Sequence, residues 1–120
     1  MSEKLKIGVG DPRETAQGFV EAWRRAERGE RPPVPEQVLR FADLETLLRT
    51  LTPVRWVLLR ALRSGGPSSV RELARRLGRD YKNVHGDVKR LESLELITRT
   101  EAGEVQVPWE TISAEISLAA

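Results

Sequence analysis

The chain has 120 residues, 39% hydrophobic and 32% charged, a balance that suits one small domain carrying at most an appendage. It contains no cysteine, which excludes a disulfide framework and any thiolate metal site and fits a reducing, cytoplasmic setting. The formal net charge is only +2, yet residues 60–100 hold ten Lys and Arg against five Asp and Glu, a concentration of positive charge that points to a polyanionic partner.

The first ten residues, MSEKLKIGVG, have no long apolar run, so neither a signal peptide nor a membrane anchor is expected there. Lys4–Val9 alternates, with Leu5, Ile7 and Val9 on one side and Lys4 and Lys6 on the other, which predicts a short strand. Asp11-Pro12-Arg13-Glu14 reads as a helix start: Asp11 can cap, Pro12 suits the first helical position and Glu14 completes a capping box. Ala16, Phe19, Val20 and Trp23 keep helical spacing up to Gly29, with Phe19 and Trp23 expected in the core or at a dimer contact. Arg31–Pro35, RPPVP, can be neither helix nor central strand and is read as a stiff linker.

Beyond the linker, Leu44, Leu47, Leu48 and Leu51 mark a short helix. Thr52-Pro53 starts another, with Val54, Val57, Leu58, Ala61 and Leu62 expected inside and Gly65-Gly66 ending it. Ser68 or Ser69 caps a third helix, whose buried face is Val70, Leu73, Ala74 and Leu77 and whose stop is Gly78. Asp80 is expected to cap a fourth. Leu96–Thr100 and Val105–Trp109 flank Ala102-Gly103 as a hairpin, and Trp56 and Trp109 are expected at the edge of the core. In the tail, Ile112, Ala114, Ile116 and Leu118 alternate with polar residues, which favours a strand. The two terminal strands each have one apolar side. They can pair within one chain or between two, with Lys4 or Lys6 set near Glu115.

Helix, helix ending in Leu-Gly, short turn, helix and hairpin is the order of a winged helix-turn-helix. The expected fold is therefore mainly α with a small β component (α+β). A strand–helix arm and linker occupy residues 1–40, the winged helix-turn-helix 41–109 and a strand-like tail 110–120. On the fourth helix, RDYKNVHGDVKRLES, Val84, Val88 and Leu91 fall on one side at about 100° per residue. Lys82, Gly86, Lys89 and Ser93 fall opposite with Arg90 nearby; Tyr81 and His85 take one flank and Asn83 the other.

A helix presented to the DNA major groove needs that division. Lys82 and Asn83, in the first turn, suit guanine and adenine edges, while Lys89 and Arg90 suit phosphates and Arg75 and Arg76 can add backbone contacts. Gly86 costs about 1 kcal/mol of helix stability relative to Ala and is read either as close backbone approach or as a lost contact. Asp87 is read as a surface charge that orients His85 and Lys89. His85 has no second histidine and no carboxylate constellation around it, so no metal site, cofactor or general base is assigned and no enzyme motif is found. Arg99 is the only base on a hairpin whose tip, Glu101 to Glu104, is acidic, so the wing is expected to contribute little.

Residues 41–109 resemble winged-helix transcriptional regulators of the MarR-like kind. More narrowly, LARRLGRDYKNVHGDVKRLESLELI and the tail ISLAA resemble a group of prokaryotic regulators with a strand and helix before the winged helix, so the resemblance covers nearly the whole chain. Some members of that group are encoded beside a small toxin and are regarded as antitoxins. The shared motif is Arg79, Asp80, Tyr81, Lys82, Asn83, Val84, His85, Asp87 and Val88. The chain departs from it at Gly86, where an arginine is usual, and at Glu95, where a glycine is expected before Leu-Ile. The expectation is a cytoplasmic homodimer that binds double-stranded DNA and represses its own operon. The alternative is an antitoxin that neutralises a small toxin protein by direct contact, with DNA binding secondary.

Overall fold

The computed structural model describes residues 3–10, 23, 24, 27–29, 37–116 and 118. The predicted cap at Asp11 to Glu14, the helical face of Ala16, Phe19 and Val20, and the linker Arg31–Pro35 lie outside them. The architecture is α+β. Two compact units are present: residues 51–111 with Glu3 form one, and the remaining described residues form the other.

In the second unit, β1 (Lys4–Val9) is the central strand of three, in the order β2-β1-β5, with β2 spanning Gln37–Phe41 and β5 Thr111–Glu115. The alternation read from the sequence holds over its first half, with Leu5 and Ile7 buried and Lys4 exposed, while Lys6 and Val9 are both half-buried. β1 runs parallel to β2 from Leu5 opposite Gln37 to Val9 opposite Phe41. That strand has no alternating signature of its own, and its pairing with β1 satisfies the backbone groups on the side facing β1. Lys6 Nζ reaches Glu115 Oε2 at 3.0 Å, so the terminal strands meet within one chain. Bonded on both sides, β1 has no free edge to offer a second copy.

The tail uses its apolar row only in part. Ile112 is half-buried, whereas Ala114 and Ile116 are exposed and Leu118 is 92% exposed. Trp23, expected in the core or at a dimer contact, is 59% exposed in this chain and donates its indole N–H to Glu27 at 2.7 Å. Helix α1 (Leu44–Thr50) begins at Asp43, whose Oδ1 accepts the Thr46 N–H at 2.7 Å. The hydrogen bonds with Thr46, assisted by Arg49, hold the Asp43 carboxyl below its usual value. That contribution to stability is present above the unfolded-state pKa and is lost as pH falls through the lowered folded value.

The first unit consists of α2 (Pro53–Gly65), α3 (Val70–Leu77), α4 (Tyr81–Ser93) and the hairpin strands β3 (Thr98–Arg99) and β4 (Val105–Gln106). Thr52 caps α2 by accepting the Arg55 N–H. The buried face of α2 is Leu58, Leu59 and Leu62, and Val54 and Val57 are about half exposed, which corrects the predicted inward pair. The three leucines bury more apolar area than the valines, and their side of the helix is the one turned inward. Ser69 caps α3, accepting the Glu72 N–H at 3.1 Å, and Gly78 ends it in the left-handed region at φ 62°. Asp80 occupies the capping position of α4 but makes no side-chain cap hydrogen bond, contrary to expectation.

Val84, Val88 and Leu91 pin α4 to a core that includes Leu73, Leu96, Ile97 and Val105. The hairpin strands are shorter than predicted because Leu96 and Ile97 point into that core and direct their N–H groups back to the Leu91 carbonyl. Ser68 and Val105 exchange both backbone hydrogen bonds, at 3.1 and 2.8 Å, tying the hairpin to the α2–α3 connection. Trp109 is buried and donates Nε1–H to the Glu95 carbonyl at 3.1 Å.

Glu95 itself has φ 62°, in the left-handed region that glycine adopts most readily, at the position where the resemblance implies a glycine. A side chain in this region costs roughly 1–2 kcal/mol, part of which a glycine returns through its freer unfolded state. Glu95→Gly is therefore expected to stabilise the chain by about 0.5–1 kcal/mol, read as a higher urea midpoint at unchanged m-value. The contact from Trp109 is to the backbone, so it survives the change.

Candidate nucleic-acid interface

Helix α4 is buried on one side and open on the other. Val84, Val88 and Leu91 are essentially inaccessible, whereas Lys82, Asn83, Gly86, Lys89, Arg90 and Ser93 are all exposed. The exposed face carries two ammonium groups, a guanidinium and a carboxamide, a donor-rich set with no acidic side chain among them. Arg90 remains close to its own helix end, its Nη1 3.3 Å from Ser93 Oγ.

Tyr81 and His85 lie together on the predicted flank, ring centroids 5.8 Å apart, and the Arg71 guanidinium stands 5.0 Å above the Tyr81 ring. Sequence reasoning did not include Arg71, because nothing in the spacing of α3 indicates which of its arginines faces a ring on α4. Arg75 is exposed and paired with Glu72 at 2.8 Å. Arg76 lies nearer the domain surface, 3.7 Å from Glu72, with its guanidinium against Gly65.

Two of the predicted arginines are engaged inside the unit. Arg99 donates Nη2 and Nε to Glu92 at 2.9 and 3.3 Å and Nη1 to the Gly103 carbonyl at 3.0 Å. Its hydrogen bonds with Glu92 raise its pKa, so the guanidinium stays charged. Arg79 donates Nη2 to Asp87 Oδ2 at 2.8 Å, and its Nη1 is buried with no hydrogen-bond partner.

Asp87 corrects the sequence reading. It is not a surface charge orienting His85 and Lys89: its side chain is 17% exposed, and its other oxygen accepts Arg55 Nε at 3.0 Å. One carboxylate thus joins α2, the turn before α4, and α4 itself. The helical period does carry part of this signal, since Asp87 lies three residues from Val84 and four from Leu91, at the rim of the buried stripe. Arg55, 32 residues away, gave none.

Among the described residues no cluster of three or more His, Asp or Glu could hold a metal ion. No helix among them is long and apolar enough to cross a membrane. Gly86 sits in open space, and a Cβ there would meet no atom within 4 Å. Packing among the described residues therefore gives no reason for the glycine. Gly86→Ala is expected to raise stability by about 1 kcal/mol, measured by thermal or urea denaturation of the free protein.

Residues 50–114 match the model of the family described as HVO_A0114. No curated protein and no solved structure matches the chain.

Proposed function

The chain belongs to the HVO_A0114 family, and we propose that it is a sequence-specific DNA-binding transcriptional regulator built on a winged helix-turn-helix. The observation that carries this reading is the two-sidedness of α4: an inaccessible aliphatic face and, opposite it, an exposed face bearing Lys82, Asn83, Lys89 and Arg90. Support comes also from the tight turn that joins α3 to α4 and from the hairpin packed behind it.

In this reading α4 enters the major groove, Lys82 and Asn83 meet base edges, and Lys89 and Arg90 meet phosphates. Arg75, Arg76, Tyr81 and His85 border that surface, while Arg79 and Arg99 serve the fold through Asp87 and Glu92. The wing offers its acidic tip, with Glu101 and Glu104 exposed, and adds little attraction for DNA. One short helix reads few bases, so a homodimer on two half-sites about 34–36 Å apart is part of the proposal. Repression of its own operon is the regulatory outcome it suits.

A second reading, an antitoxin that neutralises a small toxin protein, is favoured by the sheet unit, which leaves Val38, Ile116 and Leu118 exposed. Ile116→Ser with Leu118→Ser is expected to abolish co-purification of such a partner, expressed from the neighbouring gene, if this reading holds.

For the DNA reading, Lys89→Ala is expected to weaken selected and random duplexes alike and to flatten the log K against log salt slope by about 0.9. Asn83→Ala is expected to reduce discrimination between sites by about 1–3 kcal/mol. Fluorescence anisotropy across a salt series measures both. Binding of both variants indistinguishable from that of the unaltered chain overturns the interface.

A further inference from the structure

The carboxylate of Asp87 holds two guanidiniums from different parts of the helical unit. Arg55 comes from the first turn of α2 and binds Oδ1; Arg79 comes from the turn before α4 and binds Oδ2. Both contacts are short, and all three side chains are largely withdrawn from water, at 17% exposure for Asp87, 22% for Arg55 and 27% for Arg79. Charged hydrogen bonds of this kind are directional, because a guanidinium presents its donors in a fixed plane. The aliphatic contacts of Val84, Val88 and Leu91 hold α4 against the core without a comparable angular preference, since hydrophobic burial is non-directional.

On α4, Asp87 is four residues from Asn83 and three from Arg90, the spacings that make helical neighbours. The clamp therefore abuts the exposed face on its Asn83 side. We infer that Asp87 is a positioning residue for α4. With Arg55 and Arg79 it fixes the pitch and rotation of the helix, and that fixity lets the exposed face distinguish one base sequence from another. The second part rests on the DNA-binding reading; the first does not.

Geometry and charge make opposite forecasts, which allows a clean test. Asp87→Asn removes a negative charge and Arg55→Gln removes a positive one, so non-specific affinity should rise in the first and fall in the second. If the clamp positions the helix, both variants nevertheless lose discrimination. The ratio of affinity for a duplex selected from a random library to affinity for the library itself should fall on the order of tenfold in each.

A DNA-free measurement separates the two parts. The chain has no cysteine, so Arg60→Cys on α2 and Ser93→Cys on α4 give a unique pair of sites for nitroxide labels. Electron–electron double resonance should show a broader inter-label distance distribution when Asp87→Asn or Arg55→Gln is added to the full chain. A distribution as narrow as that of the parent in both variants overturns the positioning role, whatever DNA does. Broadening together with an unchanged affinity ratio overturns the link to discrimination. Broadening in a protein whose unaltered form selects no sequence supports the positioning role and overturns the proposed function instead.

Discussion

Helix α4 must satisfy two environments with 13 residues. Three aliphatic side chains one turn apart are removed completely from water, and over the same two turns two lysines, an asparagine and an arginine remain exposed to it. This one-sidedness is what the helical unit is arranged to maintain. The core beneath α4 is assembled from α2, α3 and the hairpin region, with Leu62 of α2, Leu73 of α3, Leu96 before the hairpin and Val105 of β4 all inaccessible. Loss of any of them would leave a cavity against the helix, and close-packed interiors do not absorb such voids freely.

Around this core the polar contacts act mainly at ends and junctions. Thr52 and Ser69 supply cap hydrogen bonds, Gly66 and Gly78 end their helices with positive φ, and Ser68 lends its backbone to the hairpin. Each device satisfies groups that a helix end or a short strand otherwise leaves bare. Asp80 is the exception, since its side chain gives α4 no cap. The start of that helix is held instead from the side, by Arg79 on Asp87.

The basic residues divide accordingly. Those that face acids across the fold are spent on structure: Arg55 and Arg79 on Asp87, Arg99 on Glu92. Those that remain exposed include Lys82, Lys89 and Arg90 on the open side of α4 and Arg71 and Arg75 on α3, with Arg60 and Arg63 on α2. Net charge counted along the chain overstates the positive surface available to a partner, because paired guanidiniums contribute little field at a distance. Under the proposed function this concentrates attraction on a few side chains and leaves the acidic hairpin tip as a minor or opposing element.

Much of the helical unit was legible in the residues alone. Helix ends follow from Thr-Pro, Ser-x-x-Glu and Leu-Gly, and the buried stripe of α4 follows from a period of 3.6, because both are local properties of the backbone. The strand at Lys4–Val9 and the turn at Gly103 were legible for the same reason. The misfit at Glu95 came from the resemblance, which implies a glycine there, and its φ of 62° is the physical content of that misfit. Only the tertiary structure determined the rest. Gln37–Phe41 becomes a strand because β1 lies beside it, not because of its own pattern. Which side of α2 faces inward, with Leu59 buried and Val54 and Val57 not, depends on what packs against it. The meeting of Arg55 with Asp87, and the placement of the Arg71 guanidinium over Tyr81, join residues whose separation in the chain carries no periodic signal. Local sequence sets backbone conformation and the faces available for burial; long-range pairing and the partner of each charge are set by which of those faces come together.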